Sequence, residues 1–212
     1  MIGLLIKDIK LMKNQIVFFL ITIVCGLILI PKQPLIGAWL LTFVIANFAI
    51  GSMTYDDFDN GNAFLFTLPF TRKQYANEKY LFSLAMGSLV WILLFLYNVI
   101  YQAIVNKRVD IYEVLFLESV VIIFTLLMLS VMFPIQFKYG GEKGRIANIA
   151  IIGVGLIIIF TVGNIVSIDS VTMKITEMMN ELSISVLFIL IAVAAYFVSM
   201  LFSQKIISQK EF

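Results

Sequence analysis

Histidine is absent from this sequence, and cysteine occurs only once, as Cys25. Without histidine there is no Ser-His-Asp or Cys-His arrangement to activate a nucleophile, and no zinc motif that relies on imidazole. A single cysteine also excludes a disulfide within the chain. These absences exclude most classes of soluble hydrolase, and we predict no catalytic residue.

Charged residues are scarce as well. They make up 13% of the chain, whereas hydrophobic residues make up 61%. An ordinary soluble domain has about 25% charged and about 45–50% apolar residues. The sequence therefore lacks the polar surface that a soluble domain of 212 residues requires, and lipid is the expected solvent. The net charge of +2 comes from dispersed basic residues, which argues against nucleic-acid binding.

Long apolar runs divide the chain into candidate membrane spans. A helix that crosses about 30 Å of hydrocarbon needs about 20 apolar residues. We predict an all-α fold, a polytopic membrane protein with six transmembrane helices forming one domain over residues 1–212. The spans lie near residues 16–30, 35–53, 81–104, 114–133, 146–166 and 184–202. A cleaved signal peptide is the alternative for the first run, but no small-x-small cleavage pattern follows it.

The basic residues predict the orientation of these spans. With the N-terminus in the cytoplasm, only Lys32, Lys107, Arg108 and Lys174 of the 15 basic residues lie outside. Because cytoplasmic loops carry an excess of lysine and arginine, we predict that both termini are cytoplasmic.

Two segments are amphipathic rather than fully apolar. In residues 1–15, apolar positions recur three and four residues apart while the lysines gather elsewhere, which predicts an interfacial helix on the inner membrane face. A solvated start to the first span is the alternative. Residues 168–183 have a similar spacing, which predicts an outer helix that lies on the outer leaflet or dips into the bundle.

The longest polar segment, residues 54–80, is predicted to be a cytoplasmic loop with structure of its own. Asn60-Gly61 is a turn signal, residues 63–68 fit one or two apolar helical turns, and Pro69 ends them. Thr71 and Gln74 fit a capping box that opens the next helix. An apolar patch beside carboxylates usually marks a protein partner, with packing against the membrane surface as the alternative.

Neither a metal site nor a nucleotide site is predicted. Asp56 is the first position of a possible calcium loop, but Phe58 occupies the third position and no glutamate occupies the twelfth. The glycine-rich stretch at residues 139–145 lacks the lysine and hydroxyl residue of a Walker loop, because Arg145 follows Gly144 directly.

Few polar residues lie within the predicted spans. Glu118 costs on the order of 3 kcal/mol in a bilayer, which the apolar residues of its span offset. We predict that it faces a translocation path or partner helix, or else snorkels to the outer headgroups. Asn47 and Asn98 are predicted to bond neighbouring helices or to line the path. Ser83 and Gly87, four residues apart, allow close approach of another helix.

Three stretches of sequence together resemble the permease subunit of bacterial type-2 ABC exporters, in the branch with six spans. They are residues 2–10 (IGLLIKDIK), residues 56–61 (DDFDNG) followed by 67–72 (TLPFTR), and residues 78–80 (EKY). The likeness covers nearly the whole chain. Within the family it is greatest to Gram-positive permeases that export amphipathic or antimicrobial peptides, including the staphylococcal phenol-soluble-modulin exporters.

The resemblance implies a partner ATPase that binds ATP and magnesium, and a second permease subunit, identical or related. It also implies the bacterial cytoplasmic membrane as the location, no cofactor in this chain, and a coupling helix within residues 59–72. The residues assigned to ATPase docking are Asp56, Asp57, Asp59, Asn60, Gly61, Phe64, Leu65, Leu68, Pro69 and Arg72.

Two other functions remain open from the sequence. A membrane anchor or sensor subunit that transports nothing would use the same cytoplasmic segment to hold a soluble partner. A small channel needs a polar lining, for which this sequence offers few residues.

Overall fold

The computed structural model describes residues 2–31, 34–57, 61–106, 111–165 and 181–209, and within these ranges the regular structure is helical. The helices are α1 (Ile2–Asn14), α2 (Ile16–Leu29), α3 (Pro34–Asp57), α4 (Gly61–Leu65), α5 (Arg72–Tyr101) with a π-helical turn at Gln102–Asn106, α6 (Ile111–Tyr139), α7 (Gly141–Ile165) and α8 (Glu181–Gln209). The all-α prediction is confirmed for these residues.

Four helices of the described chain are long and apolar enough to cross a membrane: Ile36–Asp57, Arg72–Ile104, Val114–Tyr139 and Ser185–Gln209. A fifth span arises if α1 and α2, which meet at an angle of 71°, are counted together. Six spans therefore stay a prediction, as does the interfacial position of α1. Of the predicted outer helix, residues 168–180 lie outside the described ranges, and residues 181–183 begin α8.

Both helices that flank the predicted cytoplasmic loop extend into it. The α3 helix continues to Asp57, beyond the predicted span, whereas α5 begins at Arg72, where the predicted capping box opens it, so much of segment 54–80 is regular helix. Thr71 caps α5 as predicted. Its hydroxyl accepts from the Gln74 backbone N–H at 3.2 Å, while the Gln74 side chain accepts from the Thr71 N–H at 3.0 Å.

The α3 helix lies at the centre of the bundle, where it packs against α2, α5, α6 and α7. Small residues let α3 and α5 approach closely. A Cβ added at Gly87 would lie 3.2 Å from the Ala46 Cβ, and the Ser83 hydroxyl donates to the Ala46 carbonyl at 2.7 Å. The predicted close approach at Ser83 and Gly87 is therefore confirmed.

A layer of aromatic rings and hydroxyl groups joins α5, α6 and α8. The Tyr80 ring stacks on Phe133 with centroids 4.2 Å apart. Its hydroxyl lies 2.7 Å from the Ser199 Oγ and 2.8 Å from the Ser203 Oγ. Tyr196 donates to the Tyr80 carbonyl at 2.8 Å. These buried polar groups are thus satisfied within the bundle, as a site away from water requires.

The outward surface of the bundle is apolar. Large exposed side chains include Phe18, Ile21, Leu93, Leu190 and Phe202. A soluble monomer rarely exposes contiguous apolar area on this scale. Lipid contact explains the surface, in agreement with the composition.

Candidate functional site

The segment between α3 and α5 presents apolar side chains outward. Phe64 is 72% exposed and Leu68 is 44% exposed, whereas Leu65 is buried. The α4 helix ends at Leu65, earlier than the predicted stop at Pro69. Thr67 explains the difference, because its backbone N–H and its hydroxyl both donate to the Phe64 carbonyl, at 3.0 and 2.7 Å, and close the chain into a turn.

Aromatic and cationic contacts hold this exposed segment on the bundle. The Phe66 ring packs edge-on against Tyr75, with centroids 5.6 Å apart. The Arg72 guanidinium lies 5.7 Å from the Phe66 ring centroid and donates to the Ser208 carbonyl at 3.4 Å. Because Ser208 belongs to the end of α8, Arg72 connects the segment to the last helix of the bundle.

Beneath this segment lies a buried cluster of charges, which we call the ion cluster: Lys7, Asp8, Asp56, Glu78 and Lys79. The Lys79 Nζ is fully buried and lies 2.6 Å from the Asp8 Oδ2 and 3.2 Å from the Asp56 Oδ2. Lys7 pairs with Asp56 at 2.5 Å and with Asp8 at 3.4 Å. The ion cluster thereby joins α1, the C-terminal end of α3 and the start of α5.

Neutral hydroxyl groups complete the coordination of the cluster. Ser52 accepts from the Lys79 ammonium at 2.8 Å and lies 3.1 Å from the Asp8 Oδ2, to which it donates. Tyr75 donates to the Asp56 Oδ2 at 2.8 Å. A buried ion pair is tolerated only when further hydrogen bonds satisfy its remaining groups. Asp56 has such bonds at both oxygens, from Lys7 and Tyr75. The Asp8 Oδ1 has no hydrogen-bond partner among the described residues, and the Lys7 ammonium, 3.4 Å away, compensates its charge.

Glu78 differs from the other members of the cluster. It is 1% exposed, and neither of its carboxylate oxygens has a hydrogen-bond partner among the described residues. Its Oε2 lies 3.9 Å from the Lys79 Nζ, the limit of a salt bridge. The cluster thus contains three carboxylates and two ammonium groups, and Glu78 is the carboxylate with the weakest compensation.

Two of the acidic residues predicted for ATPase docking, the buried Asp56 and the half-buried Asp57, make contacts within the bundle. The Asp56 side chain is 5% exposed within the ion cluster, contrary to the expectation of a surface carboxylate. Asp57 accepts from the Gly141 backbone N–H at the start of α7, where the helix dipole favours an anion. Gly140 adopts a φ of 65°, which suits glycine. Both aspartates therefore fix helix ends, and their docking role stays a prediction.

Of the remaining docking residues, Asp59 and Asn60 lie outside the described residues. Gly61 begins α4, and a Cβ added there would lie 2.7 Å from the Asp56 carbonyl oxygen, so this position requires glycine. Pro69 is exposed. Of the predicted docking residues that the structure describes, Phe64, Leu68 and Pro69 are exposed.

The structure brings together two of the three polar residues predicted for the translocation path. The Asn98 Nδ2 donates to the Glu118 Oε1 at 2.6 Å, and the Trp91 indole donates to the Glu118 backbone carbonyl at 3.0 Å. Glu118 is 1% exposed, so it does not snorkel to the headgroups. Asn47 lies apart from this pair, on a groove that α2, α3, α6 and α7 line.

Sequence reasoning missed most of the ion cluster. Lys7, Glu78 and Lys79 lie in two of the stretches that carry the family resemblance, but nothing in the sequence analysis predicted that they come together. A signal does exist in the helical spacing, because Asp8 follows Leu4 by four residues on the buried side of α1. Lys79 likewise lies between buried Tyr75 and Ser83 on one face of α5.

A model of the family described as ABC-2 family transporter protein matches residues 3–208, nearly the whole chain. The chain belongs to the ABC-2 transporter family. It is therefore a membrane component of an ABC transporter, and the family implies an ATPase as its partner, which confirms the predicted resemblance at this level. Neither a curated protein nor a solved structure matches the chain.

Proposed function

We propose that this ABC-2 permease moves an amphipathic substrate outward across a bacterial cytoplasmic membrane, driven by a separate ATPase that binds ATP and magnesium. The observation that carries the proposal is the exposed α4 segment, on which Phe64 is 72% exposed. An exposed apolar patch of this kind fits a groove on a protein partner. The proposed docking residues are Phe64, Leu68 and Pro69, and the sequence adds Asp59 and Asn60, which lie outside the described residues.

The base of the segment is suited to transmit force. Leu65 is buried, and Phe66 contacts Tyr75, whose hydroxyl binds Asp56 in the ion cluster. A displacement of α4 therefore acts on α1, α3 and α5 together. Packed, hydrogen-bonded contacts move as units rather than deform continuously.

The mechanism follows from a shift between two populations. ATP binding closes the partner ATPases, which move the α4 segments, and two permease subunits, identical or related, then rock between inward-facing and outward-facing arrangements. In this proposal both termini are cytoplasmic, and peptides are one amphipathic cargo that fits. Glu118 with Asn98 belongs to the path or to its helix packing.

An anchor or sensor subunit is the second candidate function, because an exposed α4 would hold a soluble partner equally well. The two functions differ in whether the complex hydrolyses ATP in response to cargo. A transporter couples hydrolysis to substrate, whereas an anchor does not.

The test is reconstitution of the full-length permease with its ATPase in liposomes. We expect an amphipathic peptide to stimulate ATP hydrolysis and to accumulate on the side of the liposome membrane opposite the ATPase. Phe64→Asp should abolish both the stimulation and the co-purification of the ATPase, while Phe64→Leu retains them because it keeps the apolar contact. Hydrolysis that no amphiphile stimulates, in an intact complex, would support the anchor instead.

A further inference from the structure

The groove lined by α2, α3, α6 and α7 has a volume of about 860 Å³. Small-molecule sites typically enclose about 300–1,000 Å³. Aromatic and aliphatic side chains form most of its lining, among them Phe18, Phe43 and Ile152.

Several polar atoms of this apolar groove lack partners. Asn148 is 4% exposed, and its Oδ1 has no hydrogen-bond partner among the described residues. Its Nδ2 donates to the Gln136 Oε1 at 3.0 Å, so the amide is anchored at one end. The Asn47 Oδ1 and the Trp39 Nε1 are also buried and have no hydrogen-bond partner in the part of the chain that the structure describes. All these residues line the groove.

Unsatisfied buried polar atoms are rare, and each one calls for an explanation. A hydrocarbon chain alone would leave these atoms unsatisfied. An occupant that carries an amide or hydroxyl group supplies the missing bonds, since the asparagine oxygens need donors and the indole needs an acceptor. Because these oxygens are buried, such a bond requires the Asn148 or Asn47 amide to rotate toward the occupant.

One end of the groove carries a positive charge. Arg145 lines it near the start of α7 and is exposed. No salt bridge to Arg145 forms within the ranges that the structure describes. At the same end Gln15 donates to the Tyr55 hydroxyl at 2.7 Å. A guanidinium at the end of an apolar groove complements a carboxylate attached to an apolar body.

From these observations we infer that the groove binds an anionic amphiphile in which an amide adjoins the charged group. Arg145 binds the carboxylate, Asn148 binds the amide, and the aromatic lining contacts the apolar chain. The chemistry is that of an acylated amino acid or of an apolar peptide at its carboxyl end. That the bound molecule is the transported cargo rests on the proposed function.

Intrinsic fluorescence provides a direct measurement. The chain has two tryptophans, so the full-length Trp91→Phe variant leaves Trp39, in the groove wall, as the reporter. We expect N-dodecanoylglycine to change the Trp39 emission saturably in nanodiscs of phosphatidylcholine. Dodecanoate, which has no amide, should bind about fivefold more weakly, as expected for one lost hydrogen bond. An acetylated tripeptide of phenylalanine that competes as well as dodecanoylglycine identifies a peptide as the source.

Variants in the same background separate the two contacts. Arg145→Gln should weaken the binding of both dodecanoylglycine and dodecanoate by about tenfold, as expected for a lost charge-assisted hydrogen bond. Asn148→Leu should weaken only dodecanoylglycine. Lys143→Gln, which also removes an exposed charge near the start of α7 but does not line the groove, should change neither. Because Arg145 is exposed, its variant tests the site even if Asn148→Leu unfolds.

Three results would overturn the inference. The first is that dodecanoate binds as tightly as dodecanoylglycine. The second is that the Trp39 emission changes without saturation and equally in Arg145→Gln, as expected for partition into the bilayer. The third is an emission change that depends on protein concentration, because a second copy of the chain then fills the groove. Since the ATPase is absent, failure here leaves the docking proposal intact. Loss of ATPase docking in the Phe64→Asp variant leaves the groove intact in the same way.

Discussion

Buried carboxylates occur at two places in this bundle with different surroundings. In the ion cluster, Asp8 and Asp56 each contact both Lys7 and Lys79. Glu118 has instead one neutral partner, Asn98, and its Oε2 has no hydrogen-bond partner among the described residues. Charge pairing makes the first place a structural joint. At the second place a single hydrogen bond, from Asn98, holds the Glu118 carboxyl, so the position of this group is the more easily changed of the two.

The largest expected effect is at Lys79. Lys79→Met leaves Asp8 and Asp56 buried with less compensating charge, and removing one partner of a buried pair costs about 3–5 kcal/mol. Thermal unfolding in nanodiscs measures the loss. Lys73→Met, at an exposed position on the same helix, is the matched control and should stay within about 0.5 kcal/mol. A Lys79→Met protein as stable as this control would show that the cluster contributes nothing.

The second prediction concerns the coupling between Asp8 and Lys79. Asp8→Asn and Lys79→Met together should cost less than the sum of their single effects, by about 0.5–3 kcal/mol, because the two residues are in contact. A double-mutant cycle on the same unfolding assay gives this number. Additive losses would mean that the two side chains act independently, despite the 2.6 Å between them.

A smaller effect is expected at the membrane-embedded pair. Asn98→Leu removes the partner of Glu118 and leaves a buried group unsatisfied, at a cost of about 1–3 kcal/mol. Glu118→Gln keeps a hydrogen-bonding side chain and should change unfolding far less. If Glu118→Gln were the more damaging of the two, its charge rather than its hydrogen bond would be the important property.

The smallest effect is expected where α3 and α5 approach each other. Ser83→Ala removes the bond to the Ala46 carbonyl, and hydrogen bonds between membrane helices contribute about 0.6 kcal/mol on average. Ser88→Ala is the control, because Ser88 bonds within its own helix, to Ala85. A loss at Ser83 beyond about 2 kcal/mol would indicate that this contact organises the helix pair.

The two carboxylate sites also differ in how readily the sequence reveals them. Glu118 stands alone in an apolar run, so the sequence marks it for attention, although it left open whether the side chain faces other helices or snorkels to the headgroups. Asp8 and Lys79 lie 71 residues apart, at the polar ends of apolar segments, where solvated charges are the ordinary expectation. Their pairing depends on which helices are neighbours. Hydropathy indicates which segments contact lipid and which contact water, but it does not indicate which helices are neighbours in the bundle.

Local signals were predicted well, and tertiary partners were not. The Thr71–Gln74 capping box and the Ser83–Gly87 close approach depend on residues within one helical turn or on side-chain size, and both are confirmed. The predicted end of α4 at Pro69 was wrong: the helix ends at Leu65, because the Thr67 hydroxyl closes the turn before Pro69. Asp56 was expected at the surface, and its burial follows from lysines on two other helices.

The central claim is that α4 contacts the ATPase, and a photoreactive amino acid at position 64 tests it most directly. Irradiation of the assembled complex should join the permease to the ATPase from position 64 and not from position 139, where the exposed Tyr139 lies at the end of α6. An intact complex that yields the ATPase adduct only from position 139 would contradict the claim.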